Sequence, residues 1–248
     1  MKMNFRYIQF LFLSIIFLLI TIIAKAQQEI NITDSNGFKQ GFWQKKDLNG
    51  TLIYSGNFNN NVPEGDFIYY DSLGKVKAKT IFTDNGEKAY TKFFRKGMMV
   101  SEGLYVNEKK TGLWKYYNND TILISEENYE NGIPNGKWRT FYSNGALLEE
   151  IIYVDGVKNG PWLQYFYDGP IKTKATYING KLEGLATFYH PNGLIFISGP
   201  YKNNLKDGVW MHLNDKGVAE KREIWSSGFL IAEEYYDKAL EKMSKEEK

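Results

Sequence analysis

The sequence predicts an all-β fold built from eight hairpin repeats of about 24 residues. Two observations lead to this prediction. Glycine, tryptophan and tyrosine return at a constant spacing through most of the chain, and aromatic residues make up 16% of it alongside 23 glycines. Aromatic side chains favour pleated, half-buried strands, and glycines supply turns that need positive φ. Such a composition is typical of short strands joined by many tight turns.

The repeat is defined by an anchor glycine that stands two residues before a tryptophan or its replacement. The anchors are Gly41, Gly65, Gly112, Gly136, Gly160, Gly184 and Gly208, with a constant step of 24 residues from Gly112 onward. The longer gap between Gly65 and Gly112 holds one degenerate repeat, whose start we assign to Lys88. Internal repetition of this length is typical of arrays in which each unit packs against its neighbours.

Two further columns support the same register. The tryptophan column, two residues after the anchor, contains Trp43, Phe67, Tyr90, Trp114, Trp138, Trp162, Ala186 and Trp210. The column seventeen residues after the anchor contains Phe58, Phe82, Tyr105, Tyr129, Tyr153, Tyr177, Tyr201 and Trp225. Asn-Gly pairs such as Asn131-Gly132 separate the expected strands, since both residues tolerate positive φ. We expect the tryptophan column to form the core of the array.

These spaced residues carry a family resemblance. The pattern Asn/Asp-Gly-x-x-x-Gly-x-Trp-x-x-Tyr-Tyr-x-x-x-Gly-x-Leu is clearest from Asn131 to Tyr153 and from Asp155 to Tyr177, and it resembles the bacterial variant of the MORN repeat. The resemblance covers about residues 36–230. It implies that the hairpins lie side by side in an elongated, single, twisted antiparallel sheet. Bacterial relatives are often labelled antitoxins of toxin–antitoxin pairs, and eukaryotic MORN proteins are linked to membranes and scaffolding.

The termini differ from the repeats. Lys2 and Arg6 precede an apolar run, and Ala24-Lys25-Ala26 follows it, which predicts a signal peptide over residues 1–26 with cleavage before Gln27. The alternative is an N-terminal membrane anchor. We therefore expect a periplasmic or secreted repeat domain over 27–236, followed by a charged tail at 237–248 that is helical or disordered. The chain contains no cysteine, so packing alone must stabilise the domain.

Charge and motif content argue against several functions. Three of the 31 basic residues lie in residues 1–26, which contain no acid, so the mature chain has 28 basic against 29 acidic residues, a net charge of −1. This near-neutral balance argues against nucleic-acid binding and against strong binding to a membrane surface. The histidines His190 and His212 lack metal-ligand spacing, and no catalytic motif occurs. The sequence therefore predicts no enzyme activity, no cofactor and no metal site.

The acidic pairs Glu126-Glu127 and Glu149-Glu150 also argue against catalysis. Neighbouring residues in a strand point to opposite faces of the sheet, so the two carboxylates of a pair cannot act on one substrate. We expect these side chains to face solvent and to keep the sheet soluble.

A second aromatic column supplies the candidate binding residues. This ladder, five residues after the anchor, contains Tyr70, Phe93, Tyr117, Phe141, Tyr165 and Tyr189. In a regular strand the ladder lies on the face opposite the tryptophan column, because the two positions differ in parity. Exposed aromatic side chains there would stack on sugars or contact a partner protein. Alternatively, strand bulges bring both columns into the core.

The seventh repeat has Ala186 where other repeats carry an aromatic residue. Because large cavities are costly, we expect Phe188, with Phe196 or residues of the adjoining hairpins, to fill the space. The alternative is an open notch beside Tyr165 and Tyr189 that binds a ligand.

The sequence as a whole predicts a non-enzymatic, extracytoplasmic repeat scaffold that binds a protein partner. One alternative is carbohydrate or cell-wall binding through the aromatic ladder. The other, implied only by the family resemblance, is antitoxin-like or immunity-like neutralisation of a partner toxin.

Overall fold

The computed structural model describes residues 29–236, in which all regular structure is β-strand. The predicted signal peptide (1–26) and charged tail (237–248) lie outside the described residues. Within residues 29–236 there is no helix that could cross a membrane. The strands belong to two compact units, divided between Gly86 and Glu87.

The first unit holds the first two repeats. Its strands are β1 (Ile32–Thr33), β2 (Lys39–Lys46), β3 (Leu52–Asn59), β4 (Val62–Tyr70) and β5 (Val76–Thr83). Each strand pairs antiparallel with the next one along the chain. A two-residue turn at Asn60 and Asn61 joins β3 to β4, with φ angles of 51° and 68° that asparagine tolerates better than most residues.

The second unit holds the remaining six repeats. Its strands are β6 (Lys88–Arg95), β7 (Met98–Val106), β8 (Lys109–Tyr117), β9 (Leu123–Glu130), β10 (Ile133–Phe141), β11 (Leu147–Val154), β12 (Val157–Tyr165), β13 (Ile171–Ile178), β14 (Lys181–Leu182), β15 (Gly184–Tyr189), β16 (Ile195–Lys202), β17 (Leu205–Lys206), β18 (Gly208–Leu213), β19 (Ala219–Ser226) and β20 (Phe229–Tyr235). Neighbouring strands pair antiparallel, and the short strands β14 and β17 pair with β13 and β16, which also pair with β15 and β18. The predicted all-β fold of antiparallel hairpins is confirmed.

One pairing register recurs in the hairpins. The tryptophan column lies opposite the residue fifteen positions after the anchor, as in Trp43 opposite Gly56 and Trp138 opposite Ile151. Two residues further along β10, Thr140 pairs with Glu149, but Phe141 pairs with Leu147, so one residue of β11 is inserted as a bulge. The sequence allowed for bulges of this kind as an alternative.

The third repeat corrects the predicted register by one residue. Thr91 pairs with Gly103 and is 5% exposed, so Thr91 occupies the tryptophan column. Tyr90, which the sequence assigned to that column, is 40% exposed. This repeat is one residue shorter than the others. The deletion falls in the turn between β6 and β7, where only Lys96 and Gly97 separate the strands. The anchor position therefore falls on Ala89 rather than Lys88.

Three glycines that were not among the predicted core residues lie directly beneath the buried aromatic rings. A Cβ atom placed on Gly56, Gly103 or Gly199 would lie 2.3–2.4 Å from a ring atom of the next repeat. The rings that occupy this space belong to Phe67, Trp114 and Trp210, which are 3%, 1% and 0% exposed. The signal was present in the sequence as a glycine fifteen residues after the anchors Gly41 and Gly184, and fourteen residues after the corrected anchor Ala89.

Ala186 is fully buried at 0% exposure, which confirms that the space beside it is filled. It packs in a cluster with Ala175 and Trp210, and the partly buried side chains of Trp162 and Phe188 contact this cluster. Phe196 does not fill the space, because it is 47% exposed.

Candidate functional site

The six ladder residues are half-buried, and the hydroxyls of two of them are bound within the sheet. The Tyr117 hydroxyl donates to the Glu102 carboxylate at 2.6 Å, and the Tyr70 hydroxyl lies 3.5 Å from the Ser55 hydroxyl. Burial, followed by the hydrogen bond to Glu102, raises the pKa of Tyr117. Because Glu102 pairs across the strands with Lys115, the neighbour of Trp114, Tyr117 and Glu102 lie on the face opposite the tryptophan column. This placement is the one expected of a regular strand, rather than the alternative in which bulges bring both columns into the core.

Phe93 differs from the other ladder residues because of the register of the third repeat. It lies two residues after Thr91, and its ring centroid is 6.4 Å from that of Trp114. Phe93 is therefore on the same face as the tryptophans, and Phe94 occupies its place after the bulge. At the other end of the ladder, Tyr189 borders a shallow pocket of about 310 Å³ that is lined mainly by residues of the tryptophan-bearing face, among them Phe188, Tyr201 and Trp210. Partner binding by the six ladder residues stays a prediction.

On the face opposite the tryptophans, acidic side chains are paired with basic ones. Arg139 forms ion pairs with Glu126 at 3.6 Å and with Glu150 at 3.0 Å. Lys137 adds a contact of 2.8 Å to Glu150. Burial alone would raise the pKa of Glu150, but the hydrogen bonds from Lys137 and Arg139 outweigh it and lower that pKa. The charges on this face are thus balanced within the sheet.

The face that carries the tryptophan column, which we call the tryptophan face, is covered at Trp114. The rings of Tyr105 and Tyr116 lie 4.8 and 6.3 Å from the Trp114 ring, and Phe93 covers another side. The Lys110 ammonium lies 4.6 Å from the indole centroid. The Trp114 indole N–H donates to a backbone carbonyl of the preceding repeat at 3.1 Å. Trp114 is therefore a core residue.

Trp210 is covered in the same way. The Phe188 and Tyr201 rings lie 6.3 and 5.0 Å from its ring, and the Lys206 ammonium lies 4.4 Å from its centroid. The Lys206 ammonium is also 3.3 Å from the carboxylate of Glu223, which is only 6% exposed. The partly buried Lys206 ammonium thus contacts an indole ring and a carboxylate at the same time.

Trp138 and Trp162 lie between these covered positions and are only half-buried. Two positions along the strand from Trp114 stands Tyr116, whereas the equivalent residues beside Trp138 and Trp162 are Thr140 and Gln164. Tyr153 still packs against Trp138, with 4.6 Å between the ring centroids. The predicted core column therefore divides into covered members, Trp114 and Trp210, and half-buried members, Trp138 and Trp162.

Two carboxylates lie on the tryptophan face beside these rings. Glu127 pairs across the strands with Trp138 and accepts hydrogen bonds from the hydroxyls of Ser125 and Tyr129. Neither this carboxylate nor that of Glu149 forms an ion pair with a residue in the described range. The sequence predicted that both would face solvent, but both are half-buried.

Glu149 also bonds only to neutral groups. Its Oε1 atom accepts from the indole N–H of Trp162 at 2.7 Å and from the amide of Gln164 at 3.1 Å. Burial, followed by the nearby charges of Glu149 and Glu127, raises the pKa of Tyr153, so both carboxylates are close enough to influence one hydroxyl. We call the group Glu127, Trp138, Glu149, Trp162 and Gln164 the tryptophan window.

The described residues contain no group of three or more histidine, aspartate or glutamate side chains that could hold a metal ion. The ring of His190 is hydrogen-bonded to the backbone carbonyl of Leu213 at 3.1 Å. His212 lies 3.2 Å from Glu223, within the last ion-pair cluster. Both histidines thus take part in contacts that hold the sheet together. The surfaces formed by the sheet can bind other molecules by stacking, hydrogen bonding and charge.

Comparison with known families supports the resemblance seen in the sequence. A family model described as the MORN repeat variant matches residues 134–155 and 182–203. The first match covers β10 and β11, and it includes Trp138 and Glu149 of the tryptophan window. No curated protein matches the chain.

Among solved structures, similarity is low and partial. The crystal structure of TarM is 16% identical, with 38% of this chain and 19% of that chain covered and a TM-score of 0.30. A point mutant of S. aureus TarM in complex with fondaparinux, alpha-GlcNAc-glycerol and UDP is 14% identical, with 57% and 23% covered and a TM-score of 0.31. The chain spans less than a quarter of the length of these solved chains.

Proposed function

We propose that this chain, whose sequence carries MORN repeat variants, is a non-enzymatic scaffold that binds a protein partner outside the cytoplasm. The tryptophan window is the observation that supports this function. Trp138 and Trp162 leave part of their rings accessible on a face where Trp114 and Trp210 are fully covered. Accessible indoles beside partly buried polar groups are typical of the centres of protein interfaces.

The location outside the cytoplasm rests on the signal peptide predicted for residues 1–26. Sequencing the N-terminus of the protein from the cell envelope or culture medium should give a start at Gln27 or within a residue or two of it. An intact N-terminus on membrane-bound protein would instead support the anchored alternative.

A second candidate function is carbohydrate or cell-wall binding through the aromatic ladder. It is supported by the half-buried rings of Phe141, Tyr165 and Tyr189. Aromatic faces of this kind stack on sugar rings as readily as on protein groups. Neutralisation of a toxin would be one form of protein binding, and the experiment below would reveal such a toxin as the bound partner.

Site-specific photo-cross-linking in the native cell tests the protein-binding proposal. A benzophenone amino acid at Thr140 would stand beside Trp138 on the tryptophan face, and one at Lys115 would stand on the opposite face, where Lys115 pairs with Glu102. We expect the Thr140 variant to yield a protein adduct of discrete mass and the Lys115 variant to yield none. An adduct from the Lys115 variant alone would show that the partner binds the ladder face instead. The absence of a protein adduct from both positions would overturn the proposed function.

A further inference from the structure

We infer that the tryptophan window receives a cationic side chain of the partner, and that this side chain is an arginine in a basic protein segment. This inference rests on the proposed function and names the chemistry of the partner. Its basis is a cation site that the chain fills with its own lysines in other repeats but leaves open in the fifth.

The chain places its own ammonium groups over tryptophan rings in three repeats. Lys39 lies 5.0 Å from the centroid of the Trp43 ring. The corresponding distances are 4.6 Å for Lys110 over Trp114 and 4.4 Å for Lys206 over Trp210. All three lysines stand two residues before their anchor glycine. An ammonium at this distance from an indole is attracted by the negative face of the ring.

The fifth repeat lacks this lysine. Pro134 stands two residues before the anchor Gly136, so the chain has no ammonium at this position to cover Trp138. In the sixth repeat the equivalent Lys158 lies over Tyr177, at 5.0 Å from its centroid. In the described part of the chain, the lysines seated on the tryptophan face thus contact Trp43, Trp114, Trp210 and Trp225, but neither Trp138 nor Trp162.

The carboxylates of the window show the same deficit of positive charge. Glu223 in the eighth repeat occupies the same repeat position as Glu127 in the fourth. The Glu223 carboxylate has Lys221 at 2.6 Å and Lys206 at 3.3 Å, whereas Glu127 has only hydroxyl donors. Glu149 has only neutral donors as well. A half-buried carboxylate without a counter-ion strongly favours the approach of a cation.

Arginine fits this arrangement better than lysine does. Both described hydrogen bonds to Glu149 end on Oε1, so Oε2 can accept a further donor. A planar guanidinium can stack on an indole face while its N–H groups reach a carboxylate, and it is less strongly hydrated than an ammonium. A neutral sugar would stack on the rings but would leave the charges of Glu127 and Glu149 unbalanced. The charge of the window therefore favours a basic protein segment.

The test is titration of the full chain with a capped penta-arginine peptide, followed by tryptophan fluorescence. Glu149→Gln should weaken binding about fivefold or more, because it removes one charge from the window. Glu126→Gln makes the same change of charge on the opposite face and should alter binding by less than about twofold. Pro134→Lys should weaken binding about fivefold or more, since the new lysine would cover Trp138 as Lys110 covers Trp114. Circular dichroism would establish that each variant keeps its strand content.

Several outcomes would overturn the inference. Equal losses in Glu149→Gln and Glu126→Gln would mean that only overall charge attracts the peptide. Unchanged affinity in a folded Pro134→Lys variant would place the peptide elsewhere. Binding of a chitin oligosaccharide in place of penta-arginine would make the window a sugar site. If penta-arginine failed to bind while the Thr140 cross-link to a protein persisted, the scaffold function would stand and the partner chemistry would be wrong.

Discussion

Gly103 allows Trp114 to lie flat on the backbone of the neighbouring strand. A Cβ atom at this position would be 2.3 Å from the Trp114 ring. The ring has no space to withdraw, because Phe93, Tyr105 and Tyr116 surround it. The backbone of Gly103 has no positive φ that would itself require glycine. Steric contact with the indole is therefore the reason for glycine here.

Gly103→Ala should destabilise the protein by about 2–3 kcal/mol, because the added methyl group overpacks a site that cannot relax. Urea unfolding of the purified chain measures this loss. The control is the same change in a Trp114→Ala background, where the ring is absent and Gly103→Ala should cost less than about 1 kcal/mol. Additive losses in the double variant would show that the clash is not with Trp114.

Truncation of two tryptophans in the same column should have unequal effects. Trp114→Ala should cost about 3–5 kcal/mol of unfolding free energy, the usual range for a buried tryptophan. Trp138→Ala should cost less, about 1–3 kcal/mol, because part of the ring is already in contact with water. Urea unfolding of both variants provides the comparison, and equal losses would contradict the division of the column into covered and half-exposed members.

Sequence periodicity located these residues but could not rank their exposure. The tryptophan column was evident, and so was its role as the core, which holds for Trp114 and Trp210. The exposure of Trp138 depends on three other positions: the residue two before the anchor, the residue two further along the strand and the residue facing it across the sheet. Each position varies separately from repeat to repeat, so their combined effect emerges only when the strands are paired.

Among the elements, β18 and β19 share a cluster of charges around Glu223, to which Lys206 of β17 also contributes. Glu223 on β19 is 6% exposed and has Lys206, Lys221 and His212 within 3.3 Å. Burial alone would raise its pKa, but hydrogen bonds from Lys221 and Trp225, together with the adjacent His212, outweigh burial and lower the pKa to about 2. The ionised carboxylate therefore stabilises these two strands.

This lowered pKa predicts a pH dependence of stability. The ordinary value is 4.5, so the contribution of Glu223 is present above about pH 4.5 and is lost as the pH falls towards 2. Glu223→Gln should lower the unfolding free energy by roughly 2–3 kcal/mol at pH 7. The difference between wild type and variant should shrink on going to pH 2.5. Thermal unfolding at both pH values measures it, and a difference independent of pH would contradict the role of the charge.

The third repeat shows how an element can be misread from sequence. Tyr90 is aromatic like most of the tryptophan column, so the one-residue deletion of this repeat was assigned to a position before Tyr90. The structure instead shortens the turn after β6 to Lys96 and Gly97, which moves Thr91 into the column and Phe93 onto the tryptophan face. A two-residue turn with positive φ at both positions closes a hairpin as well as a longer turn does. Aromatic character alone could not distinguish the two registers.

For the whole molecule, the sequence predicted the all-β class and the repeat period because both follow from local rules. Turn residues with positive φ and the regular return of aromatic side chains specify hairpins wherever they occur. The tryptophan window does not follow from such rules. It arises because neighbouring repeats depart from the pattern together, with Pro134, Thr140 and Gln164 replacing a lysine and aromatic residues.

In the whole molecule, Trp138 and Trp162 are accessible while Trp114 and Trp210 are not. Hydroxyl-radical footprinting of the full chain, read out residue by residue by mass spectrometry, measures this accessibility without any substitution. We predict rapid oxidation of Trp138 and Trp162 and protection of Trp114 and Trp210, which are 1% and 0% exposed. Equal oxidation rates at the four tryptophans, or faster oxidation of Trp114 than of Trp138, would contradict the existence of the window.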